Sequence, residues 1–191
     1  MGRCRACVVA VVGMFVAVGC SGGAGPGPSG ASPASIGAAV GATATACASR
    51  LEAVAPSPPR EPAALADVRV ASHGTTDRIV FEFAGPDVPA FDIEPARPPF
   101  VADGSGLPVA VPGAEFLRVH LPFATGMSTY AGPSSFAAPA SPGGTLASLV
   151  RTGDYEAVMT WVVGLRSPAC YRVEILGGPT RIVIDLVPAG G

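Results

Sequence analysis

The side chains in this sequence that could do chemistry are few. The Cys-x-x-Cys spacing of Cys4 and Cys7 is that of a redox or zinc site, yet both lie in an apolar N-terminal segment that reads as a removable signal. The two histidines, His73 and His120, are far apart, so no His pair stands at metal-ligand spacing. No Gly-x-Ser-x-Gly elbow, zincin helix or Gly-rich phosphate loop occurs. Serines and aspartates are present, but composition cannot nominate a triad. A two-carboxylate glycosidase needs no fixed spacing of its acids, and nothing here selects a pair. The sequence therefore points to no catalytic residue, metal or cofactor. What remains is a repeated charge pattern. Arg78-Ile79-Val80-Phe81-Glu82-Phe83 and Arg181-Ile182-Val183-Ile184-Asp185-Leu186 each place an Arg and an acid on one face of an extended strand. As antiparallel neighbours they would set Arg78 against Asp185 and Glu82 against Arg181, each pair contributing a few tenths to about 1 kcal/mol. Decoration of a solvated sheet is the first expectation for these charges, ahead of a ligand role.

Cys20 has a different chemistry. Arg3 and Arg5 supply a positive start, and Cys7–Val18 is an apolar stretch too short to span a bilayer but suited to a signal core. Ala17-Val18-Gly19-Cys20 resembles a bacterial lipobox, in which cleavage between Gly19 and Cys20 follows attachment of a diacylglycerol to the thiol; Ala17 stands where Leu is more usual. The expected result is a protein held on the outer face of the cell membrane by acyl chains, at about 0.8 kcal/mol for each buried methylene. In that oxidising compartment Cys47 and Cys170 remain as one candidate disulfide.

All twelve basic residues are Arg, a bias that reflects GC-rich coding more than chemistry. Removing Arg3 and Arg5 leaves ten arginines against fourteen acids, a net charge of −4, with the arginines scattered singly. A phosphate-backbone binder clusters its positive charge, so nucleic acid is not an expected partner.

The elements that must position any site begin late. Residues 1–19 read as signal peptide, and 20–63 as a lipidated Gly/Ala/Ser/Pro-rich tether, uncharged up to Ala46 and expected to be disordered for want of apolar surface to bury. Residues 64–188 form the domain. There the apolar period is two: Ile79, Phe81 and Phe83 against Arg78, Val80 and Glu82, then Leu117, Val119 and Leu121 against Phe116, Arg118 and His120. Asp103-Gly104-Ser105-Gly106 signals a hairpin. Tyr155–Leu165 reads as one long strand apolar on both sides, with Trp161 in the core, hence central and covered on both faces. Thr145–Arg151 is the one segment that could make two helical turns, and 125–144 reads as a long loop carrying Tyr130 and Phe136. The fold class is mainly β, an antiparallel sandwich or partly closed barrel.

Taken in order, several stretches resemble the AMIN-like domain of lipoproteins from high-GC Gram-positive bacteria. These are Val68-Arg69-Val70 with His73, Asp77–Phe83, Asp103-Gly104-Ser105-Gly106, Phe116–Leu121, Arg151-Thr152-Gly153-Asp154-Tyr155-Glu156, Thr160–Leu165 and Gly178–Asp185. The Ala/Ser/Pro-rich stretch 137–143 departs from that pattern. The resemblance implies a non-catalytic cell-envelope module that binds peptidoglycan or another wall glycan. Exposed aromatics beside polar turns would make the contact, with Tyr130, Tyr155, Asp103 and Asp154 as the candidates. The alternative is a scaffold that holds another envelope protein through a sheet edge or the 125–144 segment.

Overall fold

The computed structural model describes residues 60–189. The expected signal segment, Gly19, Cys20, most of the tether and Cys47 lie outside the described residues. Twelve strands follow in order: β1 (Ala63–His73), β2 (Thr76–Ala84), β3 (Asp92–Pro95), β4 (Phe100–Val101), β5 (Pro108–Val109), β6 (Glu115–Pro122), β7 (Ala124–Thr125), β8 (Ser135–Ala137), β9 (Leu146–Tyr155), β10 (Val158–Leu165), β11 (Ala169–Leu176) and β12 (Thr180–Pro188). No helix occurs among the described residues, so the mainly β expectation holds.

The strands form a first sheet ordered β11-β12-β2-β1-β7, a second ordered β3-β6-β10-β9-β8, and the small β4-β5 hairpin. Every pairing is antiparallel except β1 with β7. The alternation on β2 is realised as read, with Ile79, Phe81 and Phe83 fully buried and Arg78, Val80 and Glu82 half-buried on the other face. Residues from the inner faces of both large sheets merge in one hydrophobic cluster. Phe81 of the first sheet meets Trp161 of the second with ring centroids 5.6 Å apart, within the 4.5–7 Å range of favourable aromatic pairs.

β10 is the second sheet's central strand, flanked by β6 and β9. Its inner face carries Met159, Trp161, Val163 and Leu165, all buried; on its outer face Val162 is 2% exposed because a further layer lies over it. That layer is the arm 96–114, which carries the β4-β5 hairpin. It is stitched to the sheet by Ala96 N–H to Phe116 O (2.9 Å), Asp103 N–H to Thr152 O (2.9 Å) and Ala114 N–H to Leu165 O (2.7 Å). Ser148 Oγ donates to Pro112 O at 2.7 Å, and the Phe100 and Phe116 rings stack edge-on at 5.0 Å. Gly164 makes this approach feasible, since a Cβ there would stand 1.9 Å from Pro112 O.

Two expectations about elements are corrected. Tyr155–Leu165 is not one strand: Glu156 and Ala157, at φ 50° and 58°, form the two-residue loop of a β9-β10 hairpin in which Tyr155 faces Val158. Both central residues with positive φ is the type I′ geometry that Asn-Gly usually supplies, so apolar alternation runs straight through a turn lacking its usual residues. Thr145–Arg151 is not helical but begins β9, where Leu146 and Leu149 fill the core. The buried carboxylate of Asp77 fixes that start, accepting from Leu146 N–H at 2.7 Å and from the Ser72 hydroxyl.

Candidate functional site

Between the arm and the outer face of the second sheet runs a groove of about 630 Å³. Its floor follows from strand parity. Residues opposite one another in a ladder share a face, and the register aligns Gly153, Thr160, His120 and Asp92 in one row and Val150, Val162, Arg118 and Glu94 in the next. His120, Thr160, Val158, Val162 and Arg118 accordingly line the groove, with Glu94 from β3 and Thr152 from β9. The arm supplies Arg97, Phe100 and Asp103 as the facing wall.

A bulge in β9, where the register passes from Gly153 opposite Thr160 to Arg151 opposite Trp161, leaves Thr152 unpaired with β10 at the groove wall. Such bulges re-aim side chains at sheet surfaces. Arg118 is held by Glu94, with Nε donating to Oε1 at 2.9 Å, whereas Arg97 is exposed and makes no ion pair among the described residues. Two guanidinium groups, two carboxylates, an imidazole and two hydroxyls thus surround a phenyl ring and three valines, Val101, Val158 and Val162. This mixture suits an elongated ligand with apolar faces and many hydroxyl or amide groups, and no net charge is imposed on it.

The AMIN-like domain profile matches residues 63–188, two-thirds of the chain. The chain belongs to the AMIN-like domain family. No curated protein and no solved structure matches it. AMIN-like domains are binding and targeting modules associated with the cell envelope.

Within this AMIN-like domain the four binding candidates separate. Asp103 lines the groove, its carboxylate lying so close over Gly153 that a Cβ there would meet Oδ2 at 1.5 Å. Tyr155, opposite the groove residue Val158 on the same face, is 58% exposed beyond the groove end. Asp154 is an internal anchor: it accepts from Thr125 Oγ1 (3.1 Å) and Gly126 N–H (3.0 Å) and pairs with Arg151 (3.3 Å). Tyr130 cannot offer its ring to a ligand. It is buried, its hydroxyl donates to Pro133 O at 2.8 Å, its ring packs edge-on to Trp161 at 6.3 Å, and the Arg151 guanidinium covers it at 5.6 Å. Burial pushes its phenol pKa up.

The charge pattern on β2 and β12 is in direct register, Arg78 opposite Asp185 and Glu82 opposite Arg181. Arg78 grips Asp185 with two bonds of 2.7 and 2.8 Å, and those bonds hold the Asp185 carboxyl below its ordinary pKa. The second pair does not form. Glu82 takes Arg69 of β1 at 2.6 Å, and Arg181 turns to the carbonyls of Pro179 and Gly177. All four side chains lie on the outer face of the first sheet, across the domain from the groove. Cys170 is half-buried on β11.

The groove residues were legible only in part. Arg118 and His120 read from sequence as the wet face of a strand, whereas Thr160 lies within a stretch read only as apolar on both sides. Only the long-range folding of the Pro-rich arm turns those faces into one site. A faint signal was present: a strand apolar on both sides requires a cover, and 95–112 is the adjoining segment without a strand of useful length.

Proposed function

We propose that this protein is an envelope lipoprotein, cleaved between Gly19 and Cys20, anchored through a lipid on Cys20, and carrying on a Gly/Ala/Ser/Pro-rich tether an AMIN-like domain that binds peptidoglycan or another wall glycan. The observation that carries the ligand reading is the groove under the arm. Sugar rings present apolar C–H faces ringed by hydroxyls, and the groove offers Phe100 and Val158 beside Thr152, Thr160, His120, Arg97 and Arg118. Binding sites of this kind combine an apolar lining with a few placed polar groups. A disulfide between Cys47 and Cys170 would fix the end of the tether to β11, and this too is part of the proposal.

The competing scaffold reading draws less support. Tyr130 and Phe136 of the 125–144 segment pack on the core, which withdraws the two aromatics a protein partner would grip there. Co-sedimentation of the chain from Ser21 onward with purified sacculi tests the glycan reading. Wild-type protein is expected to pellet, and the Arg97→Ala, Thr160→Val double variant to pellet at least about tenfold less, the equivalent of 1.4 kcal/mol. Equal pelleting of the two, or none above a control protein, would count against the groove.

A further inference from the structure

We infer that this protein self-associates through β11, which pairs antiparallel with β11 of a second copy about a two-fold axis at Val173. The two large sheets have four edges, and three of them are short: β3 has four residues, β8 three and β7 two. The edge of β3 is also capped, since the Tyr171 hydroxyl donates to Ile93 O at 3.2 Å. β11 ends the first sheet over eight residues, Ala169–Leu176, with β12 as its one strand neighbour among the described residues. A long open edge is a template for a further strand.

Which backbone groups this edge presents follows from one hydrogen bond. Ala189 N–H bonds Pro168 O at 3.0 Å, and these two residues continue the β11-β12 register, which runs without a break from Ala169 opposite Pro188 to Leu176 opposite Arg181. Pro168 and Ala189 are therefore a hydrogen-bonded pair. Bonded and non-bonded pairs alternate along an antiparallel ladder, so Cys170, Arg172 and Glu174 turn their N–H and C=O toward β12, and Tyr171, Val173 and Ile175 turn theirs to the open edge. Val173 is buried on the inner face. Arg172 and Glu174 stand exposed on the outer face and make no ion pair among the described residues. Cys170, proposed above to bond Cys47, has its backbone turned to β12 and lies outside the stretch 171–175 that carries the edge.

The occupant is a second copy because the charges on this strand complement themselves. A symmetric pair centred on Val173 sets Arg172 opposite Glu174 of the second copy, and Glu174 opposite its Arg172, two attractive pairs on the outer face. Val173 then exchanges its edge hydrogen bonds with its own counterpart, and Tyr171 exchanges its bonds with Ile175. Moving the centre by one residue keeps the edge groups matched but sets Arg172 against Arg172, or Glu174 against Glu174. Like charges directly opposite are destabilising, so the pattern selects one register from its neighbours. The product joins the first sheets of two copies into one and puts two grooves in one particle, which strengthens the hold on a polymer without a new contact. The pairing itself does not depend on what the grooves bind.

The test is the mass of the full-length protein in density-matched detergent, read by sedimentation equilibrium. Wild type is expected to dimerise. Arg172→Glu and, separately, Glu174→Arg should each weaken dimerisation at least about tenfold, because each replaces attraction by repulsion at two symmetric sites. The double variant Arg172→Glu, Glu174→Arg should regain the dimer. So should an equal mixture of the two single variants, in which every contact between positions 172 and 174 again joins opposite charges. The mixture isolates the contact between copies, since each chain keeps the internal neighbours it has alone, Asp185 beside position 172 and Arg78 beside position 174. Both positions are exposed, so every variant should fold, which cooperative urea unfolding checks. A monomeric wild type overturns the inference and leaves the edge to a strand of another protein. A single variant that dimerises like wild type, or a mixture that stays monomeric, overturns it as well.

Discussion

Replacing Gly164 by Ala should loosen the arm and with it the groove. The new Cβ would stand 1.9 Å from Pro112 O and 2.7 Å from Ser148 Oγ, where no real contact is tolerated. Relief requires the 110–114 backbone to move out, because β10 is fixed between β6 and β9. Overpacking of this kind costs about 1–3 kcal/mol, and loss of the Ser148 to Pro112 hydrogen bond adds about 0.5–1.5 kcal/mol. The lower chain entropy of Ala in the unfolded state returns about 0.4–1 kcal/mol. The net expectation is a loss of about 2–3 kcal/mol, or roughly 1–2 M in urea midpoint for a domain of this size. Gly177→Ala is the control, since a Cβ there meets nothing within 4 Å; it should stay within about 0.5 kcal/mol of wild type. Equilibrium urea unfolding of the three proteins decides the matter. A Gly164→Ala midpoint indistinguishable from that of Gly177→Ala would refute the reasoning, because the arm could then not be packed on β10 as described.

Two further outcomes are expected. Arg78 lowers the pKa of Asp185 in the folded state, so the pair contributes above the unfolded carboxylate value of about 3.9 and is lost as pH falls through the depressed folded value. Asp185→Asn should therefore cost up to about 1 kcal/mol at pH 7 and nothing near pH 2; an equal gap in urea unfolding at both pH values would contradict this. The Glu156→Asn, Ala157→Gly double variant should relieve two left-handed residues that each cost about 1–2 kcal/mol, with part of the gain offset by the chain entropy of Gly. Thermal unfolding should rise by about 4 °C or more, and an unchanged midpoint would mean that the hairpin is already relaxed.

The parts of the fold that could be read from the sequence were those where one local period decides the outcome. On β2 and β6 a solvated face alternates with a buried one, so the burial pattern is written in the residue types. The Arg and acid spacing on β2 and β12 likewise matched a register, because strands of equal pattern align their charges. What escaped was set by distant contacts. Val162 and Val150 are apolar on the outer face only because the arm covers them, and Asp154 is polar because the turn at Thr125 and Gly126 needs an acceptor. Tyr130 stands in a stretch rich in Gly, Pro and Ser that gives no hint of its burial; its place is set by Trp161 and Arg151. The Glu156-Ala157 turn carries no Gly, Asn or Pro, so no local signal could place it.

The parallel pairing of β7 with the first two residues of β1 also bears on how the domain takes mechanical load. A pull applied to the chain at Arg60 arrives at Ala63, which is gripped by Phe123 O and aligned with Ala124. Behind that grip, β1 runs antiparallel to β2 from Ala64 to His73. Traction along the strand axis would slide β1 past β2 and stress that ladder in shear, sharing the force among its hydrogen bonds instead of peeling them one at a time. Resistance to such a pull is a matter of unfolding rate more than of equilibrium stability, and the strand that receives the chain is built to fail late.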